Sequence, residues 1–497
     1  MSGSTGRARG GPSIPALPLD GKGTLLDQLV RALRAEIARS PVGARLPATR
    51  TLARDLGISR NVVVDAYGEL ATEGLVTGRH GGGSYVTAFE AGNAARKPPP
   101  SGPDEPPFNR PATVSQFGRR LQSLDASPIL ERPELQFDFR YGLPIVAEFP
   151  FGAWARIVAR RAMIGGASVL GYGEAAGYVP LRENIAEYLR RARGIVCDPS
   201  QVIITNGSQQ ALDLTARILI DPGDRVILEE PHYEGARQAF AVAGARMVPV
   251  PVDGQGLQVE KLPVRSSDIR AAYVTPSHQF PTGAVLSPSR REALLEWAAA
   301  NDCFVVEDDY DAELRYDIRA IQAIKGIDVN EQVIYVGTLS KVLFPSLRLG
   351  YLVSPRRLVE TFTRAKHVCD RQTPALLQMA LADFMTQGHF DRHLLRARRL
   401  CAQRRVALLD SINRHLGDRA RVEGANAGIH IILWIDGCSD ADVADIVSRA
   451  ARVGVGVYPV APYYLHPPTR AGFLLGYASM QEPGIEEGIQ RLARIIR

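Results

Sequence analysis

The chain has 497 residues, 45% hydrophobic and 23% charged, which is enough for two or three domains with ample cores. No apolar run reaches the roughly 18 residues of a membrane span. The five cysteines (Cys197, Cys303, Cys369, Cys401, Cys438) are scattered and lack metal spacing, so a disulfide framework, a zinc site and any other metal centre are not expected. The formal charge is +6, and the first 87 residues hold eleven Lys/Arg against seven Asp/Glu, an asymmetry that suits nucleic-acid binding at that end. The opening MSGSTGRARGGPS has no apolar core of an export signal, and with reduced cysteines the expectation is a cytoplasmic protein.

Residues 1–20, rich in Gly, Ser, Pro and Arg, read as a disordered arm. Thr24 reads as the N-cap of a first helix with Leu25, Leu26, Leu29, Leu33 and Ile37 on one face. Ser40-Pro41-Val42-Gly43 ends it. A second helix over 49–56 turns Leu52, Ala53 and Leu56 inward and stops at Gly57. Ser59 caps a third, with Val63, Ala66, Tyr67 and Leu70 inward and Gly74 as its stop. Leu75-Val76 and Ser84-Tyr85-Val86 then bracket Arg79-His80-Gly81-Gly82-Gly83, a glycine-tipped hairpin. Three short helices and a hairpin, over 21–88, make the outline of a winged helix-turn-helix. Its third helix would enter the major groove by its N-terminal end, presenting Ser59, Arg60 and Asn61. Arg50 would reach the DNA backbone, and His80 and Gly81 on the wing would approach a groove or phosphate.

Residues 89–135, with Lys97-Pro98-Pro99-Pro100-Ser101-Gly102-Pro103 and Pro106-Pro107, show little periodic hydrophobicity and read as a semi-rigid linker rather than a folded element. From 136 to 497 strands and helices alternate without a repeat, as in a large α/β domain built on a mainly parallel sheet.

The informative segments of that domain lie at strand ends. VIITNGSQQALDLTARIL (202–219) reads strand, turn, helix, and puts Gly207, Ser208 and Gln209 at a helix N-terminus, where free N–H groups receive a phosphate. RVILEEPHYEGA (225–236) leads into Tyr233, an aromatic able to stack on a ring. CFVVEDDYDAEL (303–314) carries Asp308 and Tyr310 at its carboxyl end. GTLSKVLFPSLRLGY (337–351) follows the apolar run Val333-Ile334-Tyr335-Val336 and brings Thr338, Ser340, Lys341 and Arg348. A lysine flanked by hydroxyls and followed by an arginine suits a phosphorylated aldehyde: the amine forms a Schiff base and the hydroxyls and guanidinium take the phosphate. A carboxylate such as Asp308 can keep a pyridine nitrogen protonated.

These segments resemble those of fold-type I pyridoxal 5′-phosphate (PLP) enzymes, and ARLPATRTLARDLGISRNVVVDAYGELATEGLV resembles the DNA-binding domain of GntR regulators. Together the two halves resemble the MocR subfamily of GntR regulators, the vitamin B6 regulators among them. The resemblance implies an α/β multidomain fold, a winged helix-turn-helix joined to a PLP-dependent transferase domain. It implies that Lys341 carries PLP, that Ser208, Gln209, Thr338, Ser340 and Arg348 hold its phosphate, and that Gly207 opens that helix. Asp308 would face the pyridine nitrogen, Tyr310 the ring oxygen, and Tyr233 would stack. Tyr172, in GYGEAAGYVPLR, would reach the phosphate of a neighbouring subunit in a head-to-tail homodimer. The implied partners are operator DNA, PLP or an amine or amino acid effector, and RNA polymerase where the regulator activates.

Three departures from the resemblance stand out. Val62 occupies a place, three residues after Ser59, where GntR proteins often have Thr. Phe280, in TPSHQFPTG, stands where aminotransferases of this class have an Asn that helps hold the ring oxygen, leaving His278 or Gln279 to compensate. Leu474, in GFLLGYASM, stands where the class carries the arginine that clamps the substrate carboxylate, with Arg470 as the nearest substitute. The expected function is therefore a PLP-dependent transcription regulator without net transamination. The alternative is a working aminotransferase with an autoregulatory DNA-binding domain.

Overall fold

The computed structural model describes residues 17–79, 83–87, 113–124, 135–265, 267–315 and 322–496. His80, Gly81, the arm over 1–16 and most of the 89–135 stretch lie outside them. Two compact units fall within Met1–Ala112 and Thr113–Arg497.

The first unit holds α1 (Leu25–Ile37), α2 (Thr49–Leu56) and α3 (Arg60–Thr72), then β1 (Val76–Arg79) paired antiparallel with β2 (Gly83–Val86). Local chemistry sets the boundaries. Thr24 and Asp27 form a reciprocal capping box on α1, and the Ser59 hydroxyl accepts from the Asn61 N–H at the start of α3. Gly57 and Gly74 take left-handed φ values of 65° and 74°, which stop α2 and α3 at low steric cost. Leu29, Val30, Leu33 and Ile37 of α1 pack with Leu52, Val63, Ala66 and Leu70. Leu25, expected on that face, is exposed instead at the first position of α1, and Val30 is buried in the stripe.

In the second unit a short helix, α4 (Gln116–Gln122), forms inside the stretch expected to be extended linker. Ser115 caps it, and Arg120 fixes it by donating from Nε to the Val242 carbonyl at 2.7 Å. The Arg217 guanidinium lies 5.5 Å from the Phe117 ring centre. Seven residues are too few to display a helical period, and the anchoring carbonyl is more than a hundred residues away.

Beyond β3 (Phe137–Asp138), the main sheet has eight strands: β4 (Val202–Thr205), β5 (Arg225–Glu230), β6 (Arg246–Asp253), β7 (Gly256–Leu257), β8 (Ile269–Val274), β9 (Phe304–Asp309), β10 (Val333–Thr338) and β11 (Gly350–Val353). Their order is β4-β11-β10-β9-β8-β5-β6-β7. Strands β5, β6, β8, β9 and β10 are parallel, while β11 runs antiparallel to both β10 and β4, so β4 again points with the parallel set. Apolar residues such as Val226, Ile227, Val305, Val306, Ile334 and Val336 are wholly buried, as continuous apolar runs require in a sheet covered on both faces. A smaller antiparallel sheet follows, built from β12 (Ala420–Glu423), β13 (His430–Ser439), β15 (Tyr458–Pro459) and β16 (Arg470–Gly476), with β14 (Val455–Gly456) paired to β3.

Candidate functional site

The parallel set sends the carboxyl ends of β4, β5, β8, β9 and β10 to one edge of the sheet, where open α/β sheets form ligand crevices. Register brings the chemistry together: Val336 pairs with Asp308 and Gly337 with Asp309, so Thr338 and Lys341 follow directly beside Asp308 and Tyr310. One pocket is lined by Ser208, Tyr233, Asp308, Tyr310, Thr338 and Lys341, together with Tyr141, Gly142, Phe280, Ile429 and His430.

Lys341 donates from Nζ to the Gly142 carbonyl at 3.0 Å. Burial lowers the pKa of its ammonium, with Asp311 and Asp308 opposing, which favours a neutral and nucleophilic amine. Gly142 has φ 77°, and a Cβ there would stand 2.7 Å from Nζ, so a side chain at that position would displace the amine. Asp308 accepts from the Tyr273 hydroxyl at 2.8 Å through Oδ2. Its Oδ1 is buried and has no hydrogen-bond partner among the described residues. Burial pushes this carboxyl up to about 7, against the Tyr273 hydrogen bond.

Of the two residues expected to compensate for Phe280, only His278 reaches the aromatic hydroxyl. Its Nδ1 lies 2.9 Å from the Tyr310 Oη and 2.9 Å from Asp311 Oδ2. Gln279 is spent elsewhere, donating to the Pro231 and Phe280 carbonyls and accepting from Thr282. Phe280 itself is ringed by Tyr463, His430, Tyr233, Tyr141 and Tyr310, with centroids 5.1–6.0 Å away.

Gly207 has φ 83° and caps the helix Ser208–Leu219. Arg348 donates to the Asn206 carbonyl at 3.0 Å, and the Ser340 N–H donates to Thr338 Oγ1 at 3.2 Å. Gln209 donates to the Gly235 carbonyl and, with Arg348, lines an adjoining groove rather than the pocket itself. Tyr172 is 91% exposed and is not brought to this pocket within one chain. Arg470, the expected stand-in for a carboxylate clamp, lies exposed with its guanidinium 4.0 Å from the Trp434 ring centre and does not line the pocket. Its position at the first residue of β16 accounts for this, four residues before the wholly buried Leu474. In the first unit Arg50, Ser59, Arg60 and Asn61 are exposed, the last three at the N-terminal end of α3.

Sequence reasoning missed Tyr141, Gly142, Ile429 and His430. The one signal was Gly142, three residues after the Phe137-Asp138-Phe139 segment; nothing local marks His430, which opens β13.

Residues 151–492 match the family described as aminotransferase class I and II, and residues 25–86 match the bacterial regulatory proteins of the gntR family. The probable rhizopine catabolism regulatory protein MocR of Rhizobium meliloti is 38% identical over 94% of this chain and 92% of its own length. This chain belongs to the MocR-type GntR regulators. It is a DNA-binding transcription regulator that carries an aminotransferase-like domain. Another relative, the HTH-type pyridoxine biosynthesis transcriptional regulator PdxR of Corynebacterium glutamicum, is 31% identical over 92% of both chains. The solved kynurenine aminotransferase of Pyrococcus horikoshii, 30% identical, superposes with a TM-score of 0.70 over 76% of this chain and 96% of its own. The MocR-type effector domain thus has the fold of PLP-dependent aminotransferases. Among the described residues no helix is long and apolar enough to cross a membrane, and no cluster of His, Cys, Asp and Glu is arranged to hold a metal ion.

Proposed function

We propose that this regulator binds PLP at Lys341 and uses the loaded domain to sense PLP itself or a small amine, without net transamination. The observation that carries the reading is the buried, unpartnered Oδ1 of Asp308 in the same pocket as the Lys341 amine. An acceptor in that condition costs free energy unless a donor reaches it, and a protonated pyridine nitrogen is such a donor. The pocket therefore suits the group. PLP, when bound, supplies an electrophilic carbonyl carbon on an electron-withdrawing ring.

Ser208, Gln209, Thr338, Ser340 and Arg348 would hold the phosphate at the helix N-terminus that Gly207 opens, with Tyr172 reaching over from a second copy. Asp308 would accept from the ring nitrogen, Tyr310 would donate to the ring oxygen, and Tyr233 would stack on the ring. Lys341, its ammonium pKa lowered by burial, gives up its proton readily and provides the nucleophile. On the DNA side Ser59, Arg60 and Asn61 would meet the major groove, Arg50 the backbone, and His80 and Gly81 the wing contact. A cytoplasmic head-to-tail homodimer on operator DNA would couple the two functions, the loaded state biasing the DNA-binding domains between arrangements.

The test is a visible absorption spectrum of the protein mixed with PLP, beside a Lys341→Ala variant, followed by operator binding with and without PLP and a steady-state transamination assay. A Lys341-dependent band, PLP-dependent operator affinity and no turnover are expected. The same spectrum from both proteins would sink the attachment at Lys341.

A further inference from the structure

Resting on the proposed loading at Lys341, we propose that the molecule sensed in this pocket is a primary amine with an apolar or aromatic body and no acidic group.

The chamber beside Lys341 is walled by rings. Phe280 contacts Tyr463, His430 and Tyr233 edge-on, at 5.1, 5.4 and 5.6 Å between centroids. Behind it Leu474, Trp434, Val460 and Ile432 close an apolar cluster, with Leu474 wholly buried. Ring faces and methyl groups welcome an apolar body, and ring faces also attract an ammonium as it approaches.

An acid would find nothing comparable. Two arginines of this domain are engaged elsewhere: Arg470 lies over the Trp434 ring, and Arg140 is held by Asp138 at 3.2 Å and by the Tyr458 hydroxyl at 3.1 Å. Arg348 faces the Asn206 carbonyl, at the helix N-terminus proposed for the phosphate. His430 is wholly buried and its pKa is driven well below the usual value, so it offers no cation at neutral pH. Among the described residues, then, the pocket lining has no guanidinium, and its one ammonium belongs to Lys341, the attachment point. A carboxylate carried into these walls loses its water and gains no charged partner, and that penalty sorts amines from amino acids.

The experiment uses the full chain loaded with PLP and two matched pairs of probes, phenethylamine against L-phenylalanine and butylamine against γ-aminobutyrate, titrated by calorimetry. Each amine should bind at least about tenfold more tightly than its acid partner. Equal or tighter binding of the acids overturns the inference, as does binding by neither amine. Loss of the Lys341-dependent absorption band marks a different failure, that of the loading itself, and takes the inference with it. A Leu474→Arg variant that still takes up PLP should gain affinity for the acid members by about tenfold or more. If that variant does not fold, the matched pairs on the unaltered chain decide the matter alone.

Discussion

The imidazole of His278 meets the hydroxyl of Tyr310 at 2.9 Å, and the same Nδ1 lies 2.9 Å from Asp311 Oδ2. A carboxylate only accepts, so Nδ1 carries the proton, and its single N–H is shared between Asp311 Oδ2 and the lone pairs of Tyr310. The phenolic proton is then left free to be donated into the pocket. His278 thus acts as a positioning residue for Tyr310, at the point where Phe280 supplies no polar group. A hydrogen bond from Tyr310 favours the ionised form of an oxygen it meets. In a His278→Ala variant the pH midpoint of the visible band of the PLP-loaded protein should therefore rise by roughly one unit. A purely structural role would lower the melting temperature and leave that midpoint in place.

Asp308 carries a prediction with two signs. Its carboxyl is raised to about 7 by burial, so between its ordinary value and 7 the folded protein without cofactor holds a proton that the unfolded chain has released. That contribution to stability is present at low pH and is lost as pH rises through 7. Asp308→Asn keeps an acceptor for Tyr273 and removes the titration. The unloaded variant should gain on the order of 2–4 kcal/mol over the native chain at pH 8, with no gain near pH 4. Its affinity for PLP should fall, because a neutral amide no longer favours a protonated ring nitrogen. Denaturant melts at the two pH values and a PLP titration read both signs.

Much of this architecture is legible locally. Thr24, Gly57, Ser59 and Gly74 mark helix ends because capping and left-handed turns restrict which residues fit, and all four stand at those ends. Strand ends were readable too: a run such as Val333–Val336 stops where hydroxyls and Lys341 begin, and parallel strands bring such stops to one edge. What escaped is what tertiary contact decides. Arg120 holds α4 through a carbonyl far along the chain, and His430 arrives from the second sheet, so neither has a periodic signature. Leu474 was readable as an apolar residue, yet only its packing against Phe280, Trp434 and Tyr463 reveals a continuous apolar wall.

The proposed phosphate corner depends on a close approach of two backbones. A Cβ on Gly350 would stand 2.8 Å from the Gly207 carbonyl carbon and 2.9 Å from the Ser208 nitrogen. Backbone cannot yield as a side-chain tip can. Gly350→Ala should cost about 1–3 kcal/mol of stability and weaken PLP binding, because it pushes aside the amide groups at the start of the helix Ser208–Leu219. Gly254→Ala, where a Cβ would meet nothing within 4 Å, is the matched control and should change neither quantity.

On the DNA side Arg60 is exposed at the first position of α3, and the Ser59 hydroxyl holds that turn by accepting from the Asn61 N–H at 3.3 Å. The two residues should therefore fail differently. Arg60→Ala removes one cation from the bases and phosphates that the N-terminal end of α3 is proposed to meet, so operator affinity should fall and the slope of log affinity against log salt should shrink by about one. Stability should stay within about 0.5 kcal/mol, as for other exposed substitutions. Ser59→Ala leaves every charge in place and removes the cap, so stability should drop by about 1 kcal/mol with the salt slope unchanged. Operator binding across a salt series, beside thermal melts of the same proteins, separates the two. An Arg60→Ala protein with its full salt slope would move the phosphate contact to another residue.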